Sequence, residues 1–223
     1  MSVGIIVAAA GRGERFGKDK LWVELDGRPL LAHTLETIAA SVMFDRIVVV
    51  APEDRWNSIR FLGAAADLEL VVTAGGERRQ DSVLRGLAEC AGMSQVVIHD
   101  AARPLCPPAL FRSVVSAARE SDAAIVAIPA VDTIKRVADD HVVETFDRSS
   151  LVMVQTPQAF NIELLQMAHE AAARNEFEAE DDASLVERLG VRPRVVLGDR
   201  RNLKVTHEED LVLLRSFLGL ARV

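Results

Sequence analysis

Continuous apolar runs alternate with amphipathic segments along most of this chain. The runs are rich in Val and Ile and lack polar alternation, which is typical of strands buried on both faces of a parallel sheet. They span Val3–Ala10, Ile47–Ala51, Leu68–Thr73, Val96–His99 and Ala123–Pro129. Segments of helical period lie between them at Leu30–Met43, Glu53–Ala65, Asp81–Cys90 and Pro108–Ser121. This alternation predicts an α/β fold whose open, mostly parallel, doubly wound sheet carries helices on both faces.

One segment interrupts the rhythm. Thr133–Phe146 contains two short mixed stretches around an Asp139-Asp140 turn, a pattern typical of a β-hairpin. Since two strands alone are marginally stable, this is either a surface hairpin or an arm that packs on another subunit. The elements predicted after it are a strand at Leu151–Gln155, helices at Ile162–Asn175 and Asp181–Leu189, a strand at Arg194–Leu197 and a helix at Glu208–Leu218.

Length and composition narrow the class of protein. The chain has 223 residues, of which 49% are hydrophobic and 26% charged, as expected of a single globular domain. The sequence has no apolar run of about 18 residues and no basic leader, so we expect a cytoplasmic protein without a membrane segment. Two cysteines are too few for a disulfide framework. The net charge of -7 argues against nucleic-acid binding but permits a local basic pocket for a small anion.

The loop after the first strand is such a basic site. Three glycines between Ala10 and Lys20 allow tight turns that present backbone N–H groups to an anion, and the basic residues outnumber the acidic ones. A Walker A loop is excluded because Asp19 follows Lys18 where Ser or Thr is required. A dinucleotide-binding fingerprint is disfavoured because Phe16 occupies the position of its third glycine. A glycine-rich turn with solvated charges is the alternative.

Later strand ends carry comparable residues, and ligands of open α/β sheets bind at the carboxyl ends of strands. Gly75-Gly76 opens a helix at which Asp81 or Ser82 could instead serve as N-cap. Asp100 and Arg103 follow the fourth strand, where a solvent-exposed ion pair is the alternative reading. Asp132-Thr133 and Lys135-Arg136 follow the fifth strand. Because these four strand ends share this character, the sequence predicts a nucleotide or sugar-phosphate site.

These motifs together resemble the 2-C-methyl-D-erythritol 4-phosphate cytidylyltransferases of the non-mevalonate isoprenoid pathway. The resemblance runs nearly end to end, and the glycine motif at Gly75 with those at His99 and Gln155 is the specific part of it. The matching segments are Ala9 to Arg15, Gly75 to Val83, His99 to Pro104, Asp132 to Lys135, Asp147-Arg148, Gln155 to Gln158, Asp181 to Ser184 and Leu203 to Thr206.

The resemblance implies a Rossmann-like nucleotidyltransferase fold over residues 1–223, with an arm hairpin at about 133–148. It implies transfer of a cytidylyl group from CTP to the polyol phosphate with release of pyrophosphate. It also implies Mg²⁺ or another divalent cation, and a homodimer formed through the arm. The nucleophile is a phosphate oxygen whose second pKa is about 6, so no general base is required. Positioning and charge cancellation at the α-phosphorus are what the reaction needs.

The resemblance also implies roles for individual residues. Those that would be catalytic are Arg15, Lys20, Arg148 and Lys204. Those that would bind CTP are Ala9, Ala10, Gly11, Gly13, Lys18, Gly75, Gly76, Asp81, Ser82 and Ala101. Those that would bind the acceptor are Asp100, Arg103, Thr133, Lys135, Arg148, Thr156 and Lys204, with Asp100 also a candidate metal ligand.

Several alternatives stay open. Asp19-Lys20-Leu21 lacks the proline usual in the family, so Lys18 could take the role given to Lys20, and Glu180 stands where Thr is usual. A cytidylyltransferase for another polyol phosphate, such as ribitol 5-phosphate, would share most of these motifs. A non-catalytic nucleotide-binding protein on the same scaffold and a dehydrogenase are the remaining hypotheses. Asp181-Asp182 is interpreted as the start of a helix, and His169 as a surface or packing residue.

Overall fold

The computed structural model describes residues 1–11, 16 and 19–219. Its strands are β1 (Val3–Ala8), β2 (Glu24–Leu25), β3 (Arg28–Pro29), β4 (Arg46–Ala51), β5 (Leu70–Ala74), β6 (Gln95–Asp100), β7 (Ala123–Pro129), β8 (Lys135–Ala138), β9 (His141–Thr145), β10 (Val152–Asn161) and β11 (Arg194–Leu197). Its α-helices are α1 (Leu30–Ser41), α2 (Trp56–Ala65), α3 (Arg79–Glu89), α4 (Pro108–Ser121), α5 (Ile162–Arg174), α6 (Asp182–Glu187) and α7 (Asp210–Phe217).

Seven of the described strands form one sheet in the order β11-β7-β10-β6-β1-β4-β5. Every pairing in it is parallel except those of β10, which runs antiparallel to both β6 and β7. The predicted open, mostly parallel sheet is therefore confirmed. The antiparallel strand lies inside the sheet and not at its edge, and its residues from Gln155 to Phe160 are buried.

The core consists of two layers, one on each face of the sheet. Along β1, Ile5 and Val7 pack into the layer that holds α1, α2 and α4, whereas Ile6 packs into the layer that holds α3, α5 and α6. Successive side chains of a strand point to opposite faces, so a strand with helices on both sides must be apolar throughout. This explains the continuous Val and Ile runs. Among the residues described, no helix is both long and apolar enough to cross a membrane.

The hairpin predicted around Asp139-Asp140 is present. Strands β8 and β9 pair antiparallel, and every residue of both is exposed to solvent. Asp139 and Asp140 have φ values of 48° and 60°, as the tight turns of hairpins require. We call residues 131–151 the arm. It connects β7 to β10, so it leaves and re-enters the sheet at neighbouring strands.

Several predicted boundaries were wrong. The strand predicted at Leu151–Gln155 continues to Asn161 through a register irregularity between Gln155 and Gln158, which contains the cis Thr156–Pro157 peptide. A proline in the sequence usually indicates the end of a strand, because it cannot donate a hydrogen bond to a neighbouring strand. Pro157 is tolerated here because it stands at the irregularity, as prolines within sheets do at bulges. Helix α3 begins at Arg79, two residues earlier than predicted. The short pair β2–β3, joined at Asp26-Gly27, was not predicted because two-residue strands leave no periodic signal.

Candidate active site

The carboxyl ends of β1, β5 and β6 meet at one pocket on the edge of the sheet. The turn before α3, a 3-10 helix at Lys20–Trp22 and the segment around Lys204 complete its described walls. Its described lining residues are Ala8, Ala9, Ala10, Gly11, Lys20, Leu21, Gly76, Glu77, Arg78, Arg79, Ser82, Asp100, Ala102 and Lys204. Residues far apart in sequence thus converge where parallel strands end. Three residues of the predicted site, Gly13, Arg15 and Lys18, lie outside the described part of the chain.

Asp100, the last residue of β6, is the centre of charge in this pocket. Lys204 Nζ lies 2.8 Å from Asp100 Oδ2, Arg79 Nε lies 3.7 Å from Oδ1, and Arg103 Nε lies 3.9 Å from Oδ2. Burial alone would raise the pKa of the Asp100 carboxyl, but the three cations outweigh it and hold that pKa below its usual range. Asp100 is therefore an anion that orders cations around the pocket.

Two lysines reach the pocket from opposite ends of the chain. Lys20 Nζ donates a hydrogen bond of 2.8 Å to the carbonyl of Val205, next to Lys204. The N–H of Val205 in turn donates to the carbonyl of Ala102, just beyond β6, at 2.9 Å. The segment that carries Lys204 is thereby fixed against the end of the central sheet.

The glycine turn after β5 packs against the loop after β1. A Cβ atom on Gly75 would collide with the side chain of Ala10, and one on Gly76 would collide with Asp81. The N–H of Gly76 donates to Ser82 Oγ at 3.0 Å. Only glycine permits this close approach, and the turn therefore presents backbone rather than side chains to the pocket.

Asp81 serves the start of α3, but from inside the helix rather than as its N-cap. Its Oδ2 accepts from the Arg78 N–H at 3.1 Å, and its Oδ1 accepts from Arg78 Nη2 at 2.8 Å. The hydrogen bonds from the Arg78 side chain lower the pKa of the Asp81 carboxyl. The N-cap residue is Arg78, so the reading of Asp81 or Ser82 as N-cap is wrong.

Arg103 is buried, which overturns the alternative of a solvent-exposed Asp100–Arg103 pair. Its Nη1 donates to the carbonyl of Asn202 at 2.7 Å. Asn202 Nδ2 also donates to Gln155 Oε1 at 3.1 Å and to the carbonyl of Thr156 at 2.9 Å. Arg103 thus joins β6, β10 and the segment before Lys204 into one hydrogen-bonded unit behind the pocket.

Thr156 supports Asp100 directly. Its Oγ1 accepts from the Asp100 N–H at 3.0 Å and lies 3.2 Å from His99 Nδ1. His99 is fully buried against the edge of the Phe111 ring, and burial lowers its pKa to about 3. The imidazole is therefore neutral at physiological pH. Thr156 is itself a buried member of β10.

A buried carboxylate behind Arg79 was missed by the sequence analysis. Asp182 is 1% exposed, and its Oδ2 lies 2.7 Å from Arg79 Nη1 while its Oδ1 lies 3.7 Å from His169 Nε2. The helix start predicted at Asp181-Asp182 is confirmed, with Asp181 as N-cap. His169 is a packing residue, as predicted. One signal in the sequence could have indicated Asp182. Two acidic residues stand side by side at the helix start, and only one of them can serve as the N-cap.

Three predicted acceptor-binding residues, Thr133, Lys135 and Arg148, lie on the arm instead of in the pocket walls described above. All three are exposed. Arg148 Nη1 donates to the carbonyl of Val131 at 2.8 Å, and Lys135 Nζ donates to Thr145 Oγ1 at 2.9 Å. Within one chain, therefore, the structure separates the arm residues from the residues around Asp100.

The pocket has donors that suit a hard divalent cation. Asp100 and Glu77 both line it, and Mg²⁺ is typically held by one or two carboxylates together with substrate phosphates. Among the described residues no group of three or more His, Cys, Asp or Glu forms an all-protein metal cage. The residues present therefore fit a cation that arrives with a polyphosphate.

Comparison with known proteins gives one consistent result. The family model for 2-C-methyl-D-erythritol 4-phosphate cytidylyltransferase matches residues 3–219. The curated enzyme of that name from Syntrophotalea carbinolica is 43% identical over 225 residues, covering 98% of this chain and 97% of the relative. The enzyme of that name from Geotalea uraniireducens is 42% identical over 228 residues, covering 98% and 97%.

Solved structures agree. The 4-diphosphocytidyl-2C-methyl-D-erythritol synthase from Anaerococcus prevotii superposes with a TM-score of 0.89 at 30% identity, covering 98% of this chain and 96% of that one. The 2-C-methyl-D-erythritol 4-phosphate cytidylyltransferase from Thermus thermophilus superposes with a TM-score of 0.80 at 33% identity, covering 98% and 100%.

Proposed function

The chain belongs to the 2-C-methyl-D-erythritol 4-phosphate cytidylyltransferase family, and on that premise we propose how its pocket transfers a cytidylyl group from CTP to 2-C-methyl-D-erythritol 4-phosphate. The enzyme is a CTP-dependent nucleotidyltransferase of isoprenoid precursor synthesis. The observation that carries the proposal is the set of cations around Asp100 at the carboxyl ends of β1, β5 and β6. Neither a non-catalytic binding protein nor a dehydrogenase is favoured by these relatives.

CTP occupies the pocket between the two glycine loops in this proposal. The cytosine lies at the turn of Gly75 and Gly76, where backbone groups and Ser82 offer fixed donors and acceptors, with Asp81 holding the turn. Ala101 follows Asp100 at the same edge. The triphosphate lies along Ala9, Ala10 and Gly11, because glycine loops present N–H groups to anions, and Gly13 is assigned the same task on the resemblance alone.

Basic side chains supply the transition-state stabilisation. As CTP reacts, negative charge accumulates on the oxygens of the α-phosphorus, and preorganised cations lower the energy of that state. Lys20 and Lys204 both line the pocket, and the Lys20 ammonium donates to the carbonyl of Val205, the residue after Lys204. We assign Arg15 the same task on the resemblance alone, with Lys18 as the alternative to Lys20.

A divalent cation, Mg²⁺ in the first instance, would be held by Asp100 together with phosphate oxygens of CTP. When bound, it neutralises phosphate charge and favours pyrophosphate as leaving group. Asp100 suits this role because its carboxyl stays ionised at physiological pH. The protein needs to hold no proton, since the attacking phosphate oxygen is already ionised.

The binding site for the acceptor is completed by a second chain in this proposal. Arg103, Thr156 and Lys204 order the end of the pocket around Asp100, whereas Thr133, Lys135 and Arg148 lie on the arm. We propose that the arm crosses to a partner in a homodimer and delivers these residues to the partner's pocket. Support comes from valines that the arm exposes, among them Val137, Val142 and Val143 at 57–58% exposure, since exposed apolar side chains favour a covered state.

We further infer that the chain acts as a single domain carrying an arm and works in the cytoplasm. Relatives match almost the whole chain, and one sheet runs through the described residues. Cys90 and Cys106 are free and buried, and burial raises the pKa of their thiols to about 11 and about 12. Free thiols suit a reducing compartment, and CTP is an intracellular substrate.

The proposal is tested by pyrophosphate release from the purified protein. Each of CTP, UTP, ATP and GTP is paired with 2-C-methyl-D-erythritol 4-phosphate or ribitol 5-phosphate, with Mg²⁺ or with EDTA. We expect release with CTP, the methylerythritol acceptor and Mg²⁺. Release only with ribitol 5-phosphate would show that the acceptor is this polyol phosphate and not the methylerythritol one. Unchanged release in EDTA would refute the proposed need for a divalent cation. A folded protein that releases none would refute the activity.

A further inference from the structure

Arg79 lies between two carboxylates that face opposite directions. Its Nε is 3.7 Å from Asp100 Oδ1 on the pocket side, and its Nη1 is 2.7 Å from Asp182 Oδ2 on the interior side. The Arg79 side chain is 33% exposed and lines the pocket, whereas the side chain of Asp182 is 1% exposed. One planar guanidinium therefore links the pocket to a buried anion on α6.

Asp182 is not needed to start its own helix. The neighbouring Asp181 is the N-cap of α6, and its Oδ1 accepts from the Ser184 N–H at 2.9 Å. A second, fully buried carboxylate is costly unless charged or polar groups surround it. Here Arg79 and His169 face its two oxygens, and both side chains come from other helices, α3 and α5.

The geometry of Arg79 depends on having both partners. An arginine side chain is long and flexible, and a bidentate or bridging arrangement is what fixes the plane of its guanidinium. With Asp182 in place, Nη1 is held toward the interior while Nε faces Asp100. Without that anion, the nearest carboxylate for the whole guanidinium is Asp100, where Lys204 already lies at 2.8 Å.

We propose that Asp182 is a positioning residue that acts through Arg79: it keeps the guanidinium beside the pocket and off the face of Asp100 that CTP and its divalent cation would use. This inference rests on the proposed function, because it concerns how the proposed CTP site keeps the Arg79 guanidinium off that face of the Asp100 carboxylate. It assigns a role in nucleotide affinity to a buried side chain that lies behind a residue of the pocket wall.

The test compares Asp182→Asn with the matched control Asp181→Asn, which removes the adjacent carboxylate and leaves Arg79 with both partners. The dissociation constant of CTP is measured by calorimetry across a range of Mg²⁺ concentrations, together with kcat, KM and Tm. For Asp182→Asn we expect CTP affinity to fall about tenfold, KM for CTP to rise with it, and more Mg²⁺ to be needed. For Asp181→Asn we expect a lower Tm with CTP affinity within twofold of wild type.

A double-mutant cycle separates action through Arg79 from a general structural effect. In an Arg79→Gln background, Asp182→Asn should change CTP affinity by less than twofold, because the group it positions is gone. Equal effects of Asp182→Asn with and without Arg79 would overturn the proposal. So would a lowered Tm with unchanged CTP affinity.

If Asp182→Asn does not fold, Arg79→Lys gives the same information. Lysine keeps the charge but cannot bridge two carboxylates, so CTP affinity should again fall about tenfold, and wild-type affinity would overturn the proposal. A wild-type protein that neither binds CTP nor releases pyrophosphate refutes the proposed function together with this inference. A fully active wild type beside an unaffected Asp182→Asn variant refutes the inference alone.

Discussion

Lys204 Nζ lies 2.8 Å from Asp100 Oδ2 and joins a loop near the end of the chain to the last residue of a central strand. The two side chains differ in exposure to solvent: that of Lys204 is 38% exposed and that of Asp100 is 10% exposed. Lys204 can therefore serve two anions, the carboxylate that holds it and a phosphate that enters the pocket.

Replacing Lys204 removes the cation without removing a buried group. For Lys204→Met we expect kcat to fall about 100-fold, in line with the loss of one charged donor from a preorganised site. Lys204→Arg should keep more activity because it keeps the charge. Steady-state kinetics with CTP and thermal melting would separate the two effects. Near wild-type turnover in the methionine variant would contradict the role given to Lys204.

The contact between Gly75 and Ala10 predicts a compensating pair of substitutions. Gly75→Ala places a methyl group against the Ala10 side chain, and overpacking of this kind costs 1–3 kcal/mol, so CTP affinity should fall about tenfold. Ala10→Gly in the same chain removes the obstructing methyl group and should restore most of the affinity. Calorimetric titration with CTP measures both. Lack of rescue would mean that the two loops do not set each other's position.

Burial of His99 predicts a pH-dependent stability. Its pKa is lowered from 6.5 to about 3, so folding favours the neutral imidazole. That contribution is fully present above pH 6.5 and is lost as the pH falls from there toward 3, because the unfolded chain binds the proton first. Between pH 7 and 5 it amounts to about 2 kcal/mol.

Urea unfolding at both pH values checks this. In His99→Gln the loss of stability between pH 7 and 5 should be smaller than in wild type by about 2 kcal/mol. Thr156→Val, which keeps the histidine and removes its hydroxyl neighbour, should be less stable at both pH values and keep the wild-type slope. An unchanged slope in His99→Gln would show that another group carries the pH dependence.

The exposed valines of the arm predict the assembly state. Val142→Asp places a charge on an apolar surface that a dimer would bury, so the variant should elute as a monomer and lose turnover. Val212→Asp, at a valine of α7 that is 63% exposed, is the matched control and should leave both unchanged. Light scattering coupled to size exclusion gives the mass. A fully active monomer in the arm variant would refute a site shared between subunits.

The layered sheet could be predicted from the sequence because its signal is local. Runs such as Ala123–Pro129 are apolar throughout, and only strands with helices on both faces have that composition. The second half of β10 could not be predicted. Gln155, Thr156 and Gln158 are polar yet buried, because Asn202, Asp100 and Asp181 supply their hydrogen bonds from distant parts of the chain.

The same limit applies to the site. Asp100 and Lys204 could be predicted as site residues, since each belongs to a short motif that can be recognised in the sequence. Asp182 could not be identified in this way, because its role depends on contacts with Arg79 and His169, which belong to two other helices. Whether an acidic residue caps a helix or holds the guanidinium of an arginine in place is decided by tertiary contacts alone.

The central position of β10 has a consequence for how the chain is made. Strands β6 and β7 are not neighbours in the sheet, since β10 separates them. During synthesis from the N-terminus, both strands emerge with an unpaired edge, and neither edge is closed until the ribosome has released residues up to Asn161. The arm, which is made after β7 and before β10, thus delays closure, and a nascent chain halted there would expose two apolar strand edges to aggregation.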